Sequence, residues 1–249
     1  MTTHVPDGLW RKLTSTVGLV SVRHGSGTNV MAAEWSYFVN KDPLYAAVVL
    51  GPKAATRELI GAAGEFSLTL CAQEQAGLAD FAGSFSVADI DKTGSDLLRW
   101  GEPEATGTPW AAGGVLAMEC VLRQVVAFPV HIMYVGEVVA AHLPEQPRRP
   151  LVKHGGMHLL GEPVRRTAIA VSAQLLPGEV LRVAATGPPP DGGGHGDRWQ
   201  VSLCPPGGAA VPLGGYPSTH HGDLLVDLAV PARVRGERLP EWRVKVERP

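Results

Sequence analysis

Apolar positions in the first two-thirds of the chain fall in short runs cut by Gly, Pro and Asp, a pattern of strands and turns. Residues 16–23 read as a strand that ends at the Gly25-Ser26-Gly27 turn. Residues 30–39 read as the next, with Lys41-Asp42-Pro43 as punctuation. Residues 44–50 are apolar without interruption, as in a buried central strand, and Gly51-Pro52 stops them. A helix is predicted over 54–63, with Leu59 and Ile60 on one side and Gly64 just past its end. Residues 65–71 return to strand, with Phe66, Leu68 and Leu70 at alternate positions. A short helix is expected at 74–82, a helix or loop at 89–100, and a Gly/Pro/Thr-rich surface loop at 101–114. Two longer strands follow at 115–126 and 132–143. Helices inserted without regular alternation disfavour a doubly wound parallel sheet and favour a barrel. No G-x-G-x-x-G opens a helix after a strand, so a Rossmann fold has no support.

The pattern changes near Glu162. Short strands are predicted at 167–175, 180–185, 198–203, 224–230 and 242–246, separated by Pro/Gly clusters at 187–196 and 205–208. The first cluster reads as a mobile loop. This spacing suits a small sandwich-like β-region of about 80 residues.

Composition narrows the function classes. Of 249 residues 45% are hydrophobic, enough for a sizeable core, and the net charge of -2 leaves no basic footprint for nucleic acid. No apolar run reaches the ~18 residues of a membrane span, and the first dozen residues lack the apolar centre of a signal peptide. The expectation is a cytoplasmic protein without a membrane partner. Cys71, Cys120 and Cys204 are odd in number and far apart, which argues against disulfides and zinc. Cys71 and Cys120 sit in apolar strand-like runs and read as small buried hydrophobes. His220 and His221 would point to opposite faces of a strand, poor geometry for a metal, and His195 stands alone. There is no H-E-x-x-H, G-x-S-x-G or P-loop.

One segment is distinctive. Asn29-Val30-Met31-Ala32-Ala33-Glu34-Trp35 resembles the N-x-M-[TA]-A-x-W strand of flavin-reductase-like proteins, especially their flavoredoxin-like branch. Further pieces follow in that family's order: Asp42-Pro43 before an apolar strand, then Gly51-Pro52-Lys53 with Thr56-Arg57, then Gly64-Glu65-Phe66. Asp91-Lys92, Glu119-Cys120, Gly136-Glu137-Val138 and His154-Gly155-Gly156 complete the series. The resemblance covers about residues 10–162. It implies a mainly β fold, a Greek-key split β-barrel with short inserted helices, leaving 163–249 as a C-terminal β-rich extension. It also implies FMN as cofactor, NAD(P)H as electron donor, a homodimer, and a partner oxygenase, free flavin or oxygen as acceptor. Three positions depart from the family pattern: Glu34 for Thr or Ser, Thr93 for Phe, and His158 for an aromatic. They motivate a competing expectation, a flavin-binding electron carrier or pathway oxidase whose C-terminal region docks a partner through Trp199, Tyr216 or Trp242.

The resemblance also names candidate cofactor-binding residues. Asn29, Val30, Met31, Ala32 and Ala33 can line a flavin edge, where small side chains let backbone groups approach. Lys53, Thr56 and Arg57 begin a helix, whose free amides and partial positive charge favour a phosphate. Ser84, Ser86 and Lys92 lie in a loop near the cofactor in relatives, and Lys92 can offset negative charge on a reduced flavin. His154 and His158 flank a Gly-Gly pair, and His131 matches a histidine of many relatives. Trp35 and Tyr37 can pack near the ring. No metal site is expected, and hydride transfer between stacked rings requires no protein acid or base, so no catalytic residue is singled out.

Overall fold

In the computed structural model, residues 7–164, 167–188, 198–220, 222–232 and 241–248 are described. They form two compact units, Met1–Gly161 and Glu162–Pro249.

The first unit runs β1 (Ser15–Thr16), β2 (Gly18–His24), β3 (Gly27–Ala33), β4 (Ser36–Lys41), β5 (Leu44–Leu50), α1 (Thr56–Ala63), β6 (Glu65–Leu70) and α2 (Ala76–Ser84). It continues with β7 (Trp100–Gly101), β8 (Trp110–Ala111), β9 (Leu116–Ala127), β10 (Ile132–His142), β11 (Leu151–His154) and β12 (Gly156–Leu159). Seven strands form one antiparallel sheet in the order β3-β2-β6-β9-β10-β5-β4. β3 and β5 also come into contact, so the sheet curls on itself as a split barrel does. A smaller sheet, β1-β11-β12, closes the chain back on its start.

The barrel is mainly β, with few short helices, as its sequence pattern predicts. Two details differ. The single strand expected over 30–39 is broken at Glu34-Trp35. There Ser36 Oγ donates to the Ala33 carbonyl at 3.1 Å, and Thr16 Oγ1 donates to the Ser36 carbonyl at 2.7 Å. These bonds fix a corner that hydropathy alone does not reveal. The apolar run of β5 lies second from one end of the strand order, between β10 and the edge strand β4. It is apolar because Ala46, Val48 and Leu50 enter the core from a strand paired on both sides.

β2 is buried on both faces. Val20 and Val22 join a core inside the barrel with Ile60, Phe66, Met118 and Tyr134, while Val17 and Leu19 pack with Leu78, Ala79 and Ala82 of α2. Cys71 and Cys120 lie inside these two clusters, and burial pushes each thiol up to about 12. α1 ends where Gly64 takes a left-handed conformation, φ 70°, and donates its N–H to the Ile60 carbonyl at 3.0 Å. Gly136 has a steric role. A Cβ there would sit 2.8 Å from both Cys120 Cβ and the Phe66 ring.

In the second unit, β13 (Ala170–Leu176), β14 (Val180–Thr186), β15 (Arg198–Cys204), β16 (Val211–Pro217), β17 (Leu224–Ala229) and β18 (Arg243–Glu247) make two three-stranded sheets, β13-β14-β17 and β16-β15-β18. Val183, Trp199, Val201, Leu224 and Val246 share their core. β16 is not among the strands expected from the sequence; Pro212 and Pro217 are tolerated in it because it is an edge strand, where missing N–H donors cost little. The aromatics considered for docking turn inward. Trp199 is fully buried, so it offers no contact surface, and Tyr216 and Trp242 pack half-buried against core clusters. Most of the loop expected at 187–196, together with His195 and His221, lies outside the described residues.

Candidate functional site

The edge strand β3, the start of α1 and the end of α2 enclose a cavity of about 400 Å³. Asn29, Met31, Lys53, Ala54, Ala55, Thr56, Ala82, Gly83, Ser84, Phe85, Ser86, Val87, Asp89 and Lys92 line it. Segments separated by as many as sixty residues therefore converge, and seven of the sequence-selected residues meet here: Asn29, Met31, Lys53, Thr56, Ser84, Ser86 and Lys92.

Strand alternation sorts the β3 candidates. Asn29 and Met31 face the cavity, and Ala33 follows them on that face but is buried in the barrel core. Val30 and Ala32 point the other way, onto the α2 side. The side chains of Val30 and Ala33 are thus packing groups, and only their backbone is available to a ligand.

The α1 end of the cavity is built for an anion. Its N-cap position is Ala55, which has no side chain able to cap, and the amides of Ala55 and Thr56 find no backbone acceptor among the described residues. Free amides at a helix start carry partial positive charge. Thr56 is buried and its Oγ1 accepts from Asn29 Nδ2 at 2.9 Å, so its own O–H remains to be donated. Lys53 is exposed at the same cavity and adds a mobile cation. Arg57 is placed differently. It is absent from the cavity lining, and its carbonyl accepts from the Tyr134 hydroxyl at 2.8 Å.

Lys92 is more deeply placed than its sequence suggests. It is 3% exposed, and its Nζ donates to the carbonyls of Phe85 at 2.9 Å and Ala82 at 3.3 Å. It thereby satisfies carbonyls at the end of α2 and fixes the 82–86 wall of the cavity. Burial pushes its ammonium below the usual lysine range, against the pull of Asp89. An ammonium has three donors, so one remains for a ligand.

The histidines divide. His154 is exposed on β11, 2.9 Å from Thr14 Oγ1, and does not line this cavity. His158 Nε2 lies 3.1 Å from the His154 carbonyl. His131 packs tilted against Trp35 at a separate cavity instead. Ala54, Ala55, Gly83, Phe85 and Val87 were missed as lining residues. They are small or apolar and carry no chemical signal, so only the three-dimensional convergence reveals them.

The α1 end of the site fits a phosphorylated ligand. Free amides, a hydroxyl and Lys53 gather at the α1 end, Lys92 stands at the α2 wall, and Asn29 and Met31 follow along β3. The fold is a split barrel of the kind found in flavin reductases. The sequence profile described as the flavin reductase like domain matches residues 10–158. The chain belongs to this family.

Solved structures agree on the fold. An FMN-binding protein from Thermus thermophilus with bound p-hydroxybenzaldehyde is 25% identical, with a TM-score of 0.59 over 66% of this chain and 96% of that one. Flavoredoxin from Methanosarcina acetivorans is 23% identical, with a TM-score of 0.58 over 66% and 94%. BorF, the flavin reductase component of a bacterial two-component tryptophan halogenase, is 25% identical, with a TM-score of 0.55 over 63% and 96%. The second unit lies outside the family match. No helix among the described residues is long and apolar enough to cross a membrane.

Proposed function

We propose that the protein is an FMN-dependent oxidoreductase of the NAD(P)H:flavin reductase type, passing electrons to free flavin, oxygen or a partner oxygenase. The observation that carries this reading is the convergence of Asn29, Thr56, Lys53 and Lys92 on one cavity at an uncapped helix start. FMN, when bound, supplies a two-electron carrier that accepts hydride and releases electrons singly or in pairs. The chain's own residues hold it. The amides of Ala55 and Thr56, the Thr56 hydroxyl and Lys53 take the phosphate, in the manner of anion sites at helix starts. Asn29 and Met31 flank the remainder along β3, and Lys92 supplies a fixed positive charge from the opposite wall. The relatives described as an FMN-binding protein and as the reductase component of a two-component halogenase support the cofactor and the class of partner.

A homodimer is part of the proposal. Phe38 and Val39 on β4, Val125 on β9, and Phe128 and Val130 in the turn after it are each about half exposed. A subunit contact would cover such groups. Sedimentation velocity tests it, and a monomer at micromolar concentration refutes it.

The principal test is spectroscopic. The purified protein should carry flavin absorbance or quench the fluorescence of added FMN, and NADH or NADPH should bleach the bound flavin anaerobically. If saturating FMN leaves both its fluorescence and the melting temperature unchanged, the reading is wrong. Bound flavin that neither nicotinamide donor bleaches would leave an electron carrier instead.

A further inference from the structure

The second unit carries an apolar cavity of about 300 Å³ at one end of its core. Leu203 and Val230, 2% and 1% exposed, are its most buried walls. Leu181, Trp242 and Val244 stand half-buried around them, and Ala173 and Leu175 of β13 form its exposed side. Among these described lining residues no side chain carries a charge, and the one polar group is the Trp242 indole N–H. Arg243 and Lys245 alternate with Val244 on β18, so their side chains leave the lining to the apolar face of that strand.

This end of the core is incomplete in two respects. Leu175 pairs with Leu181, and Leu181 with Leu228, which is 6% exposed. Cross-strand partners share a face, so Leu175 stands on the inward face of its sheet, yet it is 50% exposed. Val171, on the same face of β13, is 42% exposed. The inward apolar row of β13 is therefore left uncovered by the facing sheet. The cavity beside that row is also a large void for a protein interior, and unfilled apolar volume costs stability in proportion to its size. Water fills it poorly, because a held water needs about two to four polar partners and these side chains offer one.

We propose that this cavity binds a small uncharged molecule made mostly of hydrocarbon. Its volume is about twice the ~150 Å³ of a dry apolar cavity that holds benzene, which sets the ligand at about ten carbon atoms. An organic acid of that size fits less well, because nothing on the lining pairs its charge. A sugar or nucleotide would leave several hydrogen-bonding groups unpaired. The depth of the cavity, down to Leu203 and Val230, favours a small molecule over a flat contact between copies of the chain. The proposal is independent of the flavin reading, since the lining lies wholly in the second unit, outside the family match.

The test uses the full-length protein and two probes of one carbon skeleton, n-butylbenzene and 4-phenylbutyrate, which end in a methyl and a carboxylate. Binding is followed by the indole N–H resonances in ¹H–¹⁵N spectra, and FMN affinity is measured in parallel on the same sample. The Trp242 resonance, assigned by its loss in Trp242→Phe, should shift and saturate with n-butylbenzene, and the melting temperature should rise. 4-Phenylbutyrate should bind at least about tenfold more weakly. Val244→Phe fills part of the cavity and should weaken n-butylbenzene binding by about tenfold while leaving FMN affinity as it was. The proposal is overturned if n-butylbenzene leaves the Trp242 resonance unmoved, if the carboxylate binds as tightly, or if a folded Val244→Phe variant keeps the parent's affinity. It also fails if n-butylbenzene is excluded as the chains associate in sedimentation velocity, for then a second copy is the occupant. The comparison of the two probes on wild-type protein stands even where a variant does not fold. Protein that takes n-butylbenzene but not FMN refutes the flavin reading alone, and the reverse result refutes this proposal alone.

Discussion

The Asn29 side-chain amide donates to the Thr56 hydroxyl oxygen at 2.9 Å, with both residues buried, and so ties edge strand β3 to the first turn of α1. The bond orients Thr56. With its oxygen accepting from Asn29, the hydroxyl proton is left for the cavity. Thr56→Val keeps the shape, removes that donor and strands the Asn29 amide. Stability should fall by about 1–2 kcal/mol in urea unfolding. FMN affinity, read from quenching of flavin fluorescence, should fall by about tenfold. A folded variant that binds FMN as the parent does would take Thr56 out of the site.

The two lysines of the cavity should behave differently. Lys53 is exposed, so Lys53→Ala should leave the unfolding midpoint within about 0.5 kcal/mol of the parent. It should weaken FMN binding and flatten the dependence of that binding on salt. Lys92 is bonded to the Ala82 and Phe85 carbonyls. Lys92→Met fills the space but leaves those carbonyls unpaired, so it should cost about 2 kcal/mol of stability as well as FMN affinity. Equal stability losses in the two variants would contradict the burial of Lys92.

These contrasts mark what the sequence disclosed and what it withheld. The strands 44–50, 65–71 and 132–143 were legible because each sheet position imposes its own alternation or apolar run. The corner at Glu34-Trp35 was not, because it is fixed by Ser36 and Thr16 bonding to carbonyls, a choice that hydropathy does not record. At the site, Thr56 and Lys53 were legible through the helix start after Gly51-Pro52. Lys92 was found through resemblance to relatives, but its place beneath the end of α2 was not foreseen, since a lone lysine in a polar stretch looks like any surface charge. His154 shows the converse: the glycines beside it suggested a close approach to a ligand, yet its ring is exposed and sits by Thr14. Trp199, one of three candidate contact aromatics, lies in the core because β15 alternates, with exposed Arg198 and Gln200 on either side of it.

Glu119 should make the barrel acid-sensitive. The carboxylate is fully buried. It accepts from the amides of Glu104, Ala105 and Thr106 at 2.7–2.9 Å and from the Thr106 hydroxyl at 2.9 Å, and His142 Nε2 lies at 2.8 Å. Burial pushes its carboxyl upward, but these bonds outweigh that effect and hold it down at about 2, from an ordinary 4.5. A carboxyl whose folded value is depressed binds protons more readily in the unfolded chain. Its contribution is therefore complete above about 4.5 and is lost as the pH falls toward about 2. Urea midpoints measured across that window should decline. Glu119→Gln should be less stable at pH 7, because its NH₂ faces N–H donors, and its midpoint should decline less with acid. A variant that declines as steeply as the parent would place the sensitivity elsewhere.

Both cores beside the Asn29–Thr56 cavity draw only on residues before Gly161, and the family match ends at residue 158. A chain ending at Val164 should therefore fold and bind FMN. Changes that share no partners with a site alter its energetics by about 0.5 kcal/mol or less, so the affinity should stay within about twofold of the full-length value. Flavin titration of the two chains, with melting curves as the control for folding, makes the comparison. If the shortened barrel melts cooperatively yet binds FMN more than tenfold more weakly, the second unit contributes to the cofactor site. If affinity is retained while transfer of electrons to an added oxygenase component falls, the second unit serves the acceptor rather than the flavin. Unchanged affinity and unchanged transfer would remove it from both steps.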